Sequence, residues 1–139
     1  MRRVMFLCTG NACRSQMAEA FARELGKGVV DPYSSGLIAV DLHPYAVEAM
    51  MEVGIDISGQ KSKEIDPELF DEMDVVVTLC KPAEFFSPRS SLNTTRIYRP
   101  ITAPVSTGKP KEDIMKDFRR TRDEIRVLIE ELLREISSY

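Results

Sequence analysis

Residues 8–15, CTGNACRS, bring two cysteines, a glycine, an asparagine and an arginine into one short connection. The connection lies between an apolar run (Val4, Met5, Phe6, Leu7) and a stretch with helical spacing. Cys8 and Arg14 are separated by Thr9, Gly10, Asn11, Ala12 and Cys13, enough chain to curl a loop whose backbone N–H groups point inward. Gly10 permits a backbone angle closed to bulkier residues, and Asn11 tolerates left-handed geometry better than most. A helix starting near Arg14 would add its unpaired N–H groups and the positive end of its dipole. The guanidinium of Arg14 is a planar fork that matches two oxygens of a tetrahedral oxyanion. In such a field Cys8 is expected to ionise well below its free value of about 8.5, and Ser15 is placed to donate a hydrogen bond to the thiolate. The chemistry is that of a nucleophilic thiolate at the floor of an anion cradle. A zinc site built from Cys8, Cys13, Cys80 and His43 is the competing reading, but it lacks a second ligand pair and Arg14 opposes a cation. Cys13 also fits the part of a small buried filler. His43, just before a helix-opening proline, reads as a local structural residue.

The elements that must hold this loop follow from periodicity. Residues 3–8 read as a buried strand and 14–25 as a helix, with Met17, Ala18, Phe21 and Leu25 on one face and Gly26 as its stop. A second strand covers 29–34 and runs into Ser34-Ser35-Gly36. His43-Pro44 opens a helix that Gly54 closes, and Asp66-Pro67 caps a short one reaching Met73. DVVVTLC, 74–80, is a continuous apolar strand of the kind buried on both faces. TRIY, 95–98, is a shorter strand. Residues 112–136 form a long helix whose apolar side carries Ile114, Phe118, Ile125, Leu128, Ile129, Leu132, Leu133 and Ile136. Segments 81–94 and 99–111 read as loops, and Met17, Met50 and Met51 as core.

Strands alternating with helices imply right-handed crossovers and a parallel sheet with helices on both faces. Four strands in the order 2-1-3-4 give an α/β three-layer sandwich whose topological switch point lies at the end of strand one, at Cys8. Cys80 ends strand three on the same edge. Neighbouring strands lie roughly 4.8 Å apart, within the roughly 4.4–6.8 Å between Cα atoms that a disulfide spans. Cys80 is therefore either the redox partner of Cys8 or a buried structural cysteine.

Bulk composition bounds the setting. With 139 residues, a single domain over 1–139 is expected. A net charge of −3 leaves no general basic field, so a nucleic-acid partner is not expected and any anion must be held by local donors. Apolar runs fall short of a membrane span, and residues 1–7 are too short for a signal peptide. Three cysteines, an odd number, suit reduced thiols in the cytoplasm and a fold independent of disulfides.

The stretches FLCTGNACRSQMAEAF, YSSG, EVGIDIS and VVTLC resemble the thioredoxin-coupled arsenate reductases, which share the fold of the low-molecular-weight protein tyrosine phosphatases. The resemblance covers residues 3–80 and returns at FRRTRDEI, 118–125. It implies that Cys8 attacks arsenate in the loop while Arg14 holds the oxyanion, and that Cys80 then forms a disulfide with Cys8 and releases arsenite. It also implies a thioredoxin-type reductant. The pattern breaks in two places. Ser87 stands where a third cysteine would take over the disulfide, and Ala103-Pro104 stands where the family carries an Asp-Pro pair whose aspartate is the general acid. Glu112 and Asp113 are nearby carboxylates with no evident claim to that role, and Asp31-Pro32-Tyr33 starts strand two, at the sheet edge away from the cradle. Asn11, Glu19 and Ser34 match the family's potassium ligands, but Lys61 and Lys63 fall where further ligands belong, so a lysine ammonium is a candidate occupant.

Losing the acid hurts a phosphatase most, because expelling an alkoxide leans on a proton donor worth roughly 10²–10⁴ in rate. The expected function is thus a two-cysteine arsenate reductase without cofactor or metal, recycled by a thioredoxin- or glutathione-type thiol. The alternatives are a weak low-molecular-weight phosphatase and a non-catalytic oxyanion or redox sensor.

Overall fold

A computed structural model describes residues 1–137. The chain runs β1 (Arg2–Cys8), α1 (Arg14–Leu25), β2 (Val30–Gly36), α2 (Pro44–Met51), α3 (Pro67–Asp71), β3 (Val75–Thr78), α4 (Lys81–Phe86), β4 (Thr95–Tyr98) and α5 (Lys111–Ser137). The four strands form one parallel sheet in the order β2-β1-β3-β4, as the alternation of elements requires. Crossovers through α1 and α4 run in opposite directions from the centre of the sheet, so right-handed connections place these helices on opposite faces. The two central strands carry the apolar runs: Val4 to Cys8 and Val75 to Thr78 are all buried. Pro32 sits in β2, an edge strand, where a missing ladder donor is tolerated. Asp31 pairs with Arg3 near the start of the strands, far along β1 from Cys8.

Phe6, Phe21, Phe70 and Phe118 are the largest side chains wholly withdrawn from solvent, and α5 packs along α1 and α2. Ile114, Phe118, Ile125, Leu128, Ile129, Leu132 and Ile136 are buried along α5, with Leu133 packed at the margin of the core. Two expected core residues are not in it. Leu25 and Met51 are 42% and 51% exposed, because each is the last residue of its helix and extends past the element that helix covers.

Two boundaries around Cys80 also differ from expectation. β3 stops at Thr78, and α4 forms inside the segment expected to be a loop. Pro82 favours a helical first turn, and Cys80 occupies the cap position without a side-chain cap bond. A six-residue helix with an unusual cap leaves no periodic signal to read.

The end of β2 is packed tightly against the Cys8 loop. A Cβ on Gly36 would lie 2.7 Å from the backbone nitrogen of Asn11 and 2.5 Å from the carbonyl oxygen of Ile38. Gly36→Ala is therefore expected to displace the loop and to destabilise the fold by about 1–3 kcal/mol, measured by urea denaturation. An unchanged midpoint would show that the backbone there gives way freely.

Candidate active site

The loop between β1 and α1 is shaped by what holds its carbonyl groups. Ile38 N–H donates to the Thr9 carbonyl at 3.1 Å, Val40 N–H to Gly10 at 2.9 Å and His43 N–H to Ala12 at 3.0 Å. The Asn11 carbonyl accepts from Ser62 Oγ at 2.8 Å and from Gln16 Nε2 at 3.1 Å. In a trans peptide the carbonyl and the following N–H point in opposite directions. Tying four consecutive carbonyls to the surrounding protein therefore turns the N–H groups of Gly10, Asn11, Ala12 and Cys13 toward the concave side. The positive φ in the loop, +52°, falls on Asn11. Asn11 is the residue that tolerates left-handed geometry, and Gly10 lies outside that region. A Cβ on Gly10 would instead meet Val40 Cγ2 at 3.0 Å, so glycine is favoured there by crowding from the covering segment.

Cys8 ends β1 and is 3% exposed, with its Sγ 2.8 Å from Ser15 Oγ in the first turn of α1. Asn11 Nδ2 donates to the same Ser15 oxygen at 2.7 Å, which leaves the serine hydrogen for the sulfur. The orientation of the Asn11 amide is fixed in turn, because its Oδ1 accepts from Lys63 N–H at 3.0 Å and Gln16 Nε2 at 3.1 Å. The Ser15 hydroxyl and the N-terminal end of α1 thus both face the Cys8 sulfur. Arg14 Nη1 donates to the Ile101 carbonyl at 2.8 Å, which anchors the guanidinium beside the loop after β4.

Cys80 lies one register step beyond Cys8. Leu7 pairs with Thr78, and Leu79 N–H donates to the Leu7 carbonyl at 2.9 Å. Its Sγ is consequently 3.4 Å from Thr9 Oγ1, in contact with the residue after Cys8. Cys13 is half-buried, and its thiol is pushed up to about 12, mainly by burial and then by the neighbouring Cys8, with Arg14 opposing. Ser87 lies at the C-terminal end of α4, the end away from Cys80, where it accepts from Arg96 Nη2. Arg96 also donates to the Pro88 carbonyl at 3.1 Å and to Glu84 Oε1 at 3.2 Å, clasping α4 and its exit to β4.

A hollow of about 160 Å³ opens above Cys8, bordered by Cys13 and Arg14 and walled by His43, Ala103, Pro104, Ser106 and Phe118. No carboxylate is among its lining residues. Glu112 and Asp113 border separate surface grooves. Asp117 accepts from the N–H of Val105, the residue after Pro104, at 2.6 Å. Its bond to Arg120, reinforced by that N–H, holds it below the usual carboxylate range, so it is a poor proton donor. Glu19 is nearly buried and accepts from Ser34 Oγ at 2.6 Å and Arg23 Nη2 at 2.7 Å. The ammonium of Lys63 lies 3.8 Å from Glu19 Oε1 and donates to the Lys61 carbonyl at 3.0 Å, so a lysine sits beside this carboxylate.

Sequence reasoning missed that His43 borders the hollow. Its capping role is as expected, since Nδ1 accepts from Tyr45 N–H at 3.0 Å. Its place in the pocket wall depends on its backbone bond to Ala12, and no sequence pattern announces that contact. Burial holds the imidazole below the ordinary histidine range of about 6.5, and the cap needs an unprotonated Nδ1. The unfolded chain therefore takes up the proton first as pH falls, and stability is complete only above the unfolded value. Melting temperature should fall more in the wild type than in His43→Ser, which keeps a cap acceptor but does not titrate, between about pH 7.5 and 5.5. Parallel curves for the two proteins would contradict this.

Comparison with known proteins agrees with the geometry. A relative from Halalkalibacterium halodurans named arsenate reductase is 44% identical over 122 residues, covering 88% of each chain. A solved arsenate reductase in the phosphate binding state superposes with a TM-score of 0.81 at 37% identity, covering 98% of this chain and 99% of that one. A low molecular weight protein tyrosine phosphatase from T. tengcongensis superposes with a TM-score of 0.78 at 27% identity, covering 97% and 99%. The family model for low molecular weight phosphotyrosine protein phosphatase matches residues 3–138. This chain belongs to the low molecular weight phosphotyrosine protein phosphatase family.

Proposed function

We propose that this chain, acting as one domain, is a thiol-dependent arsenate reductase of the cytoplasm. The observation that carries the reading is the placement of two thiols, Cys8 in the lining of a hollow that holds no carboxylate and Cys80 against the adjacent Thr9. Its relatives at about this similarity, named arsenate reductases, support the same choice of substrate. Among the described residues no helix is long and apolar enough to cross a membrane.

The geometry supports the following steps. The inward N–H groups of the loop and the guanidinium of Arg14 bind arsenate above Cys8. The Cys8 thiolate, held by Ser15, bonds to arsenic, and one arsenic oxygen departs as water after taking up protons from solvent. The sulfur of Cys80 then attacks Cys8 Sγ. The S–S bond forms as the S–As bond breaks, and its electron pair stays on arsenic, which leaves as arsenite. Two thiols are oxidised to one disulfide while arsenic gains two electrons. Cys13 is a weak competitor for the second step, since its raised value leaves it protonated at neutral pH.

Ser87, held by Arg96, offers no thiol to take over the Cys8–Cys80 disulfide, so its reduction falls to an external thioredoxin- or glutathione-type thiol. Phosphate-ester hydrolysis by the same cradle is expected to be weak. Ala103 offers no proton to a leaving alkoxide, a loss worth roughly 10²–10⁴ in rate.

A single turnover of reduced protein with arsenate, without added reductant, tests the reading. About one arsenite released for two thiols lost is expected from the stoichiometry, and either Cys8→Ser or Cys80→Ser should abolish the release. Undiminished arsenite from Cys80→Ser would overturn it.

A further inference from the structure

We propose that His43 is a binding residue for the oxyanion, donating a hydrogen bond from Nε2–H across the mouth of the cradle. The proposal rests on the reading of the Cys8–Arg14 loop as an oxyanion site. It follows from three constraints on one side chain.

The first is position. The His43 N–H bond to the Ala12 carbonyl, 3.0 Å, fastens this residue to the cradle itself, and its ring forms part of the wall of the hollow above Cys8. The second is the location of the ring proton. Nδ1 accepts the Tyr45 N–H at the start of α2 and must offer a lone pair, so the single proton of a neutral imidazole resides on Nε2. The third is rigidity. The ring lies against Phe118 with centroids 4.8 Å apart and against Tyr45 at 5.3 Å, and a flip would break the cap bond. Nε2–H has no hydrogen-bond acceptor among the described residues.

These constraints make a donor-only group whose direction is set before any ligand arrives. Outside residues 8–14, His43 and Ser106 supply the side-chain polar hydrogens of the lining residues, and Ser106 is exposed. Ala103 and Pro104, which also line the hollow, have no side-chain donor. A tetrahedral anion gripped by the loop N–H groups and Arg14 directs its remaining oxygen outward, and His43 is the fixed donor on that side. With Nδ1 committed to the cap, the neutral ring stabilises charge on that oxygen and does not act as a proton source. It thus recovers the anchoring part of an acid that Ala103 cannot provide.

His43 is the sole histidine of the chain, so its ring nitrogens give one isolated set of signals. Long-range ¹H–¹⁵N spectra of the ¹⁵N-labelled full chain, recorded at about pH 8 while inorganic phosphate is added, read both features of the proposal. The free protein should show the Nε2–H tautomer, and the ring signals should move saturably with phosphate, together with the amides of residues 9–13. His43→Ser, which retains a cap acceptor, should weaken phosphate binding by about tenfold while its melting temperature at that pH stays close to wild type. An Nδ1–H tautomer would overturn the proposal. So would ring signals that stay fixed while the loop amides shift, or unchanged phosphate affinity in His43→Ser; in these cases the oxyanion cradle would stand. If neither loop amides nor ring respond to phosphate, the cradle reading fails and the proposal fails with it.

Discussion

The site depends on four backbone carbonyls being held from outside the loop they belong to. Thr9, Gly10 and Ala12 are tied to the segment 38–43, and Asn11 is tied to Gln16 and Ser62. Without those partners the peptide planes between Cys8 and Arg14 would be free to turn, and their N–H groups would lose a common direction. The cost of ordering these residues is met in folding, and such preorganisation is what the proposed oxyanion site needs in a protein of net charge −3. Gly36 belongs to the same constraint, since only a residue without a side chain lets β2 end so close to Asn11.

The hydrogen bonds around Ser15 extend this order to the sulfur. Lys63 N–H orients the Asn11 amide, Asn11 orients the Ser15 hydroxyl, and Ser15 faces Cys8. The same stretch of chain brings the Lys63 ammonium to the nearly buried Glu19. A carboxylate in that position needs compensation, and Ser34, Arg23 and Lys63 together provide it. The part of the protein behind the cradle is therefore a satisfied polar layer linking β1, α1, β2 and the segment 60–64.

Much of this was legible in the sequence, for reasons that differ between elements. The central strands announce themselves because burial on both faces demands unbroken apolar runs, as in MFLC and VVVT. The strand order and the position of Cys8 at the switch point then follow from handedness and alternation alone. α4 was not legible, since a six-residue helix capped by cysteine has neither period nor a usual cap. The exposure of Leu25 and Met51 depends on where the neighbouring elements end, and periodicity carries no information about that. The wall of the pocket was the least legible part. His43, Ala103, Pro104, Ser106 and Phe118 come from three separate regions, and only the tertiary path of segments 37–43 and 99–111 unites them. The absence of a carboxylate at Ala103 was visible in the sequence, but that none replaces it from α5 required the structure.

The central claim is that Cys80 resolves the intermediate formed on Cys8. Peptide mapping by mass spectrometry of the protein quenched after one turnover with arsenate examines that linkage itself. The account predicts a peptide pair joined through Cys8 and Cys80, with Cys13 recovered as a free thiol. A Cys8–Cys13 linkage, or arsenite formed with Cys80 still reduced, would contradict it.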